Sequence, residues 1–497
     1  MASVIGTVLA LILLLVLAAG LWLSWRRPVI GLGLLVAGMA FHNFLLMVLL
    51  GLGTPHSLVR VFQAWKEILI ALLTLVAVLG LWRDRQAGRQ GRLTATDWIA
   101  AAFAALAVIY LLLPSSFLHS DVTLTQRVLG FRVAALLPLL YFLGRRLSAT
   151  DESQLGPALW LVLGTGAFVA VFGLVEMWLI PTRTWLDWGV NLYTSFLGFT
   201  YHGPAGLPEN FFLTLGNGAL VRRMVSIYIS PLAIAYTGLL LMPIGAVLAE
   251  RRPQRAALRW LGIGLLVLTL LGVMFSETRL AVLVTIPEAA LLALLLRRGW
   301  LVALVPAVAA GAAFMLLAYP SVGPVVDRNL LTSGGGQGQA AFSTNDSSTT
   351  EHWSQIVLDL KLDLQHPLGL GVGASINRFG RLVGTGESAI LGMFGDLGIV
   401  GGLLYCALYL ATLWNGFRAF RLAPSGSLQP ALPLVAFVGG LALVPITLTS
   451  DIWGDLSVTY LFWWAAGASV ALASRTVGVR ESSKRPADAA KSGVPAS

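Results

Sequence analysis

Long apolar runs separated by short polar breaks dominate this chain, at residues 2–24, 29–53, 61–82, 97–114, 128–144, 156–180, 226–249, 259–276, 279–296, 300–319, 387–414, 431–450 and 456–474. A helix rising 1.5 Å per residue needs about 20 mostly apolar residues to cross the hydrocarbon layer. The pattern therefore predicts an all-α polytopic membrane protein with about 12–13 transmembrane helices and two long outer loops. Residues 1–319 hold ten of these helices and the outer loop 181–225, and residues 320–386 form the larger outer loop. Residues 387–474 hold the last three helices, and 475–497 are expected to be a disordered cytoplasmic tail. The first run is read as a retained span, because Arg26 and Arg27 follow it and no basic stretch precedes it.

Composition agrees with this picture: of 497 residues 57% are hydrophobic and 11% charged, with a mean hydropathy of +0.81. The net charge of +10 raises the question of nucleic acid. That partner is excluded, because the basic residues form short clusters between apolar runs, the pattern that orients membrane helices. Assigning alternate loops and the tail to the cytoplasm places 21 of the 33 Lys and Arg residues there, with the amino terminus outside. One cysteine, Cys406, excludes an internal disulfide. The six histidines show no paired ligand spacing, so no metal is expected.

Twelve basic residues remain on the outer side against this bias. Arg60, Arg183 and Arg328 read as solvated loop residues. Arg132, Arg222, Arg223 and Arg279 each abut the outer end of an apolar run, where an unpaired charge is costly, and a shared anionic ligand would account for them. Glu176 is a candidate partner for an outer arginine, Glu67 for Lys66, and Glu277 is placed to orient Arg279.

The larger outer loop contains STNDSSTTEHWSQIVLDLKLDLQHP. Thr349 or Thr350 can cap a short amphipathic helix ending before Pro367, with Trp353, Ile356, Val357, Leu360 and Leu364 on one face, set against the membrane or the bundle. A glycine-rich stretch follows, HPLGLGVGASINRFGRLVGTGESAILG, with Arg378, Arg381 and, at the head of the next helix, Glu387. Glycines at 369, 371, 373, 380, 384 and 386 let backbone amides approach phosphate oxygens. No strand precedes this stretch, which excludes a dinucleotide-binding fold.

Three segments together resemble the O-antigen ligase and O-antigen polymerase superfamily: RRMVSIYISPLAIAYTGLLLMP at 222–243, FSETRLAVLV at 275–284, and HPLGLGVG at 366–373 followed by ESAILGMFGDLGIVGG at 387–402. The resemblance implies a bacterial inner-membrane enzyme, without cofactor or metal, whose active site faces the periplasm. Such an enzyme transfers glycan from an undecaprenyl-diphosphate-linked oligosaccharide to a glycan acceptor, with membrane lipids and a polysaccharide chain-length regulator as further partners. It implies that Arg223 and Arg279 hold the diphosphate with Arg222 or Arg132 as helpers, and that Glu387 is the general base where ligases carry histidine. The family's outer-loop arginine is not evident in TTEHW, where His352 is a candidate substitute, and His366, Arg378 and Arg381 are further candidate substrate contacts. Polymerisation of repeat units is the leading expectation and ligation of a finished polymer the alternative. A transporter or flippase, the reading of another class, calls for mid-membrane charges, internal repeats and broken helices; the sequence shows neither a repeat nor a mid-helix charge cluster.

Overall fold

The computed structural model describes residues 2–88, 93–114, 116–148, 152–198, 203, 206–214, 220–250, 255–324, 347–375 and 388–491. Its helices are α1 (Ala2–Arg26), α2 (Pro28–Gly51), α3 (His56–Gln63), α4 (Trp65–Gln86), α5 (Ala95–Leu112), α6 (Leu124–Leu147), α7 (Glu152–Leu179), α8 (Thr184–Asp187), α9 (Val190–Leu197) and α10 (Pro231–Glu250). They continue with α11 (Ala256–Phe275), α12 (Arg279–Leu296), α13 (Gly299–Leu317), α14 (Tyr319–Val322), α15 (Ser347–Gln365), α16 (Ala389–Leu422), α17 (Ala431–Leu434), α18 (Gly440–Thr449) and α19 (Leu456–Lys491). Among the described residues thirteen segments are long and apolar enough to cross a membrane, one for each run read from the sequence, and the protein is an all-α polytopic membrane protein.

Burial sorts the helices. In α10 nearly every residue is enclosed, whereas α1 exposes most of its apolar side chains, as a span at the lipid boundary must. Around α10 pack α7, α11 and α12, and the α17–α18 segment, which contains a π-helical turn at Val435–Gly439. Helix α19 nests between α6, α2 and α16. The helix runs on to Lys491, through the stretch expected to be the cytoplasmic tail.

Three features depart from uninterrupted spans. The 34-residue helix α16 breaks at Gly398, whose φ of 68° and ψ of −175° are open to glycine alone. Two short strands, β1 (Phe212–Thr214) and β2 (Leu220–Arg222), pair antiparallel within the 181–225 loop. Glu288 stands at the middle of α12 with 3% of its surface exposed, a buried mid-span charge that the sequence reading passed over.

Helix α15 is the short amphipathic helix expected before Pro367, with its apolar side turned away from the bundle. It begins by Ser347, ahead of Thr349, and its acidic residues face inward: Asp359 is 4% exposed, while Trp353, Leu360 and Leu364 are 67%, 51% and 73% exposed. Packing against α16 fixes this orientation.

Candidate functional site

Residues 220–224, paired with Phe211–Thr214, lie between the α11–α12 connection and the end of α13–α14. Arg222 N donates to Pro324 O at 3.0 Å, Arg223 N to Phe211 O at 3.0 Å and Met224 N to Phe275 O at 2.8 Å. Tyr319 Oη donates to Arg222 O at 2.7 Å, and the Tyr319 ring packs on Phe275. Consecutive residues on an extended chain point to opposite sides. Arg222 and Arg223 accordingly diverge.

The Arg222 guanidinium turns into the bundle, where it pairs with Glu176 and donates to Met177 O at 3.3 Å and Ile180 O at 2.5 Å. Trp185 Nε1 also donates to Glu176, at 3.1 Å. A buried carboxylate needs these donors, and a buried guanidinium needs these acceptors. Arg222 is therefore the tie between α7 and β2, which corrects its assignment as a diphosphate ligand.

Arg223 turns the other way, half-buried. Its Nε donates to Ser276 O at 2.9 Å and its Nη2 to Thr278 Oγ1 at 3.2 Å, so the α11–α12 connection holds the guanidinium plane. Arg279, the first residue of α12, and Glu277 complete the group. Glu277 is buried with a left-handed φ of 50°, a strained conformation for a residue with a Cβ, and its Oε1 meets no hydrogen-bond partner among the described residues. Burial pushes the Glu277 carboxyl up to about 7, against the pull of Arg223 and Arg279. Burial also lowers Arg223 to about 10, which leaves it charged at neutral pH. Two guanidiniums brought together beside one buried carboxyl make an electropositive cluster suited to an anion. The role of Glu277 extends to Arg223, beyond the Arg279 contact expected from spacing.

A second polar site lies at the docked end of the glycine loop. The glycine loop docks on α16, α5 and α6: Leu370 N donates to Gly395 O at 2.7 Å, Ile399 N to Pro367 O at 2.9 Å, and Tyr110 Oη of α5 to Leu368 O at 2.7 Å. A Cβ on Gly373 would meet Gln126 O at 2.2 Å, so only glycine fits against α6 there. Gly373 N and Ser375 N both donate to the Asp396 carboxylate at 2.8 Å. These amides serve Asp396, which corrects the expectation that the described part of the loop offers its amides to phosphate. A cavity of about 30 Å³ opens beside them, lined by Gly130, Ser375, Ser388, Asp396 and Asp451. Asp451 and Asp396 drew no assignment from the sequence, because each stands alone among apolar residues with no charged partner nearby in the chain.

Glu387, Arg378 and Arg381 lie outside the described residues, as does the side chain of His352. The residue after Glu387 is placed: Ser388 Oγ caps α16 through Leu391 N at 3.1 Å and donates to Thr447 O at 3.2 Å, while Ala389 N donates to Ser450 O at 3.2 Å. Arg132 belongs elsewhere. It pairs with Glu67 at 3.4 Å, and Lys66 with Glu67 at 3.3 Å, with Lys66 Nζ 3.3 Å from His42 Nε2. The expected Lys66–Glu67 pair is thus present, and Arg132 is held beside it on α4. His366 is half-buried at the end of α15, where its N donates to Leu362 O at 2.9 Å. Among the described residues no group of His, Cys, Asp and Glu is placed to hold a metal ion.

Neither a protein-family model nor a curated protein sequence matches the chain.

Proposed function

We propose that the protein transfers glycan from undecaprenyl diphosphate on the periplasmic side of a bacterial inner membrane, polymerising O-antigen or exopolysaccharide repeat units. The observation that supports this reading is the meeting of Arg223 and Arg279, from separate parts of the chain, around Glu277 at the long-loop end of the bundle. In this reading the two guanidiniums take the donor's diphosphate. The acceptor hydroxyl oxygen attacks the anomeric carbon, the bond from that carbon to the diphosphate oxygen breaks, and the hydroxyl proton passes to Glu387. Charge developing on the leaving diphosphate is stabilised by cations already in place. Attack opposite the leaving group inverts the anomeric centre. Glu277 tempers the mutual repulsion of the arginines before the donor arrives.

The ligase alternative uses the same cluster with a lipid A core or another acceptor. The test is direct: purified protein in nanodiscs receives undecaprenyl-diphosphate oligosaccharide, with products scored by length. Chain extension that is lost in Arg279→Ala supports the polymerase. Transfer only to added lipid A core selects the ligase, and no transfer to either acceptor refutes both.

A further inference from the structure

Glu288 belongs to neither site. It lies nine residues from Arg279 and nine from Arg297, about 13.5 Å from each along the helix axis. It is 3% exposed, and neither carboxyl oxygen meets a hydrogen-bond partner among the described residues. Of the elements packed most closely on α12, α13, α18 and the π-helical turn carry no titratable group at all. Helix α10 offers Tyr236 near one end and Glu250 at the other, and Glu250 is taken by Arg298 at 2.7 Å and Trp300 at 2.5 Å. Helix α11 offers Arg259 near its start, 3.8 Å from Glu250. No charged side chain bears on Glu288.

Pro287, the residue before Glu288, lacks an N–H, which leaves the carbonyl of Leu283 without its usual helical donor. A carboxylate there would have neither counter-ion nor donor, which hydrocarbon penalises heavily. A carboxylic acid supplies its own donor.

We propose that Glu288 is a proton-binding site in the middle of the bundle, filled at neutral pH and emptied only when α12 and the π-turn part enough to admit water. The site stands independently of the glycan-transfer reading. It gives the membrane interior one exchangeable proton on the helix that begins with Arg279.

The test uses the full chain in nanodiscs. Infrared spectra of wild type and Glu288→Gln are subtracted from each other at about pH 9, where ordinary carboxyls and the raised Glu277 carboxyl are ionised. The expected result is a protonated-acid carbonyl band in the wild type that the Gln variant loses entirely. Glu288→Gln should melt with the wild type, since the amide keeps shape and neutrality. Labelling by dicyclohexylcarbodiimide, which adds the acid O–H across its C=N bond, should reach Glu288 and be unaffected by sodium ions. Absence of the band in the wild type, or its persistence in Glu288→Gln, overturns the proposal. Sodium-protected labelling overturns it in favour of a metal-cation site.

Discussion

Arg222 and Arg223 are neighbours in the chain whose guanidiniums serve opposite sides of one extended strand end: Arg222 pairs with Glu176 inside the bundle, and Arg223 is held by Ser276 O and Thr278 Oγ1 at the cluster. Removing one partner of a buried ion pair costs about 3–5 kcal/mol. Arg222→Ala should therefore lower folded protein in the membrane and its melting temperature. Arg223→Ala should leave protein level near wild type and weaken binding of undecaprenyl diphosphate at least 10-fold, about 1.4 kcal/mol. Fluorescence-detected size exclusion and lipid binding on the same samples separate the two effects, and equal behaviour of the two variants would remove the distinction.

Donor binding should depend on pH through Glu277. Its carboxyl is pushed up to about 7 in the folded protein, so the folded state holds a proton that the unfolded state releases near the ordinary Glu value of about 4.3. Stability from this proton is present below the unfolded value and fades as pH rises towards about 7. A diphosphate next to the carboxylate repels its charged form, so affinity should fall as pH rises through about 7, and Glu277→Gln should flatten the profile. Calorimetric titration at several pH values checks this; an unchanged slope in Glu277→Gln assigns the dependence elsewhere.

Glu387→Gln tests the base. If Glu387 takes the acceptor proton, turnover falls about 10²- to 10⁴-fold while donor binding persists. A carboxylate that only favours a helix start contributes about 0.3–1 kcal/mol, with no such kinetic loss. Single-turnover extension beside equilibrium donor binding distinguishes these outcomes, with Glu387→His as the ligase-like comparison.

The apolar stripe of α15 should contact lipid. Trp353, Leu360 and Leu364 are exposed, and beyond Leu368 the stripe continues onto Ile399 and Val400 of α16, where the backbones join through Ile399 N and Pro367 O. Spin labels at Leu360 and Leu364 should be relaxed more by oxygen than by an aqueous nickel chelate, with the reverse at Lys361. Equal access of the chelate to all three would place the helix in water.

Apolar periodicity sufficed for the spans because each run buries or lipidates its own backbone bonds, a requirement local to about 20 residues. Pairings across the chain have no such local signature. Arg222 finds Glu176 46 residues away, and Asp396 accepts from Gly373, whose glycine reads equally well as a phosphate cradle. The Gly398 break was similarly hidden, since it follows from a loop carbonyl of Pro367 and the chain of Leu368 pressing where a Cβ would stand. Of the cluster, Arg223 and Arg279 were legible from their place beside apolar runs. The burial and backbone strain of Glu277 were not, because they depend on how the α11–α12 connection folds over Arg223.

The break at Gly398 also divides the labour of α16. Residues 399–422 alone extend about 36 Å, enough for a hydrocarbon layer of about 30 Å, so Ala389–Leu397 is not needed for crossing. A thicker or thinner bilayer can then be met by tilting the longer piece. The shorter piece, tied to the glycine loop through Gly395 and Asp396, keeps its register with Ser388 and Asp451, and the cavity is insulated from the thickness of the membrane that carries it.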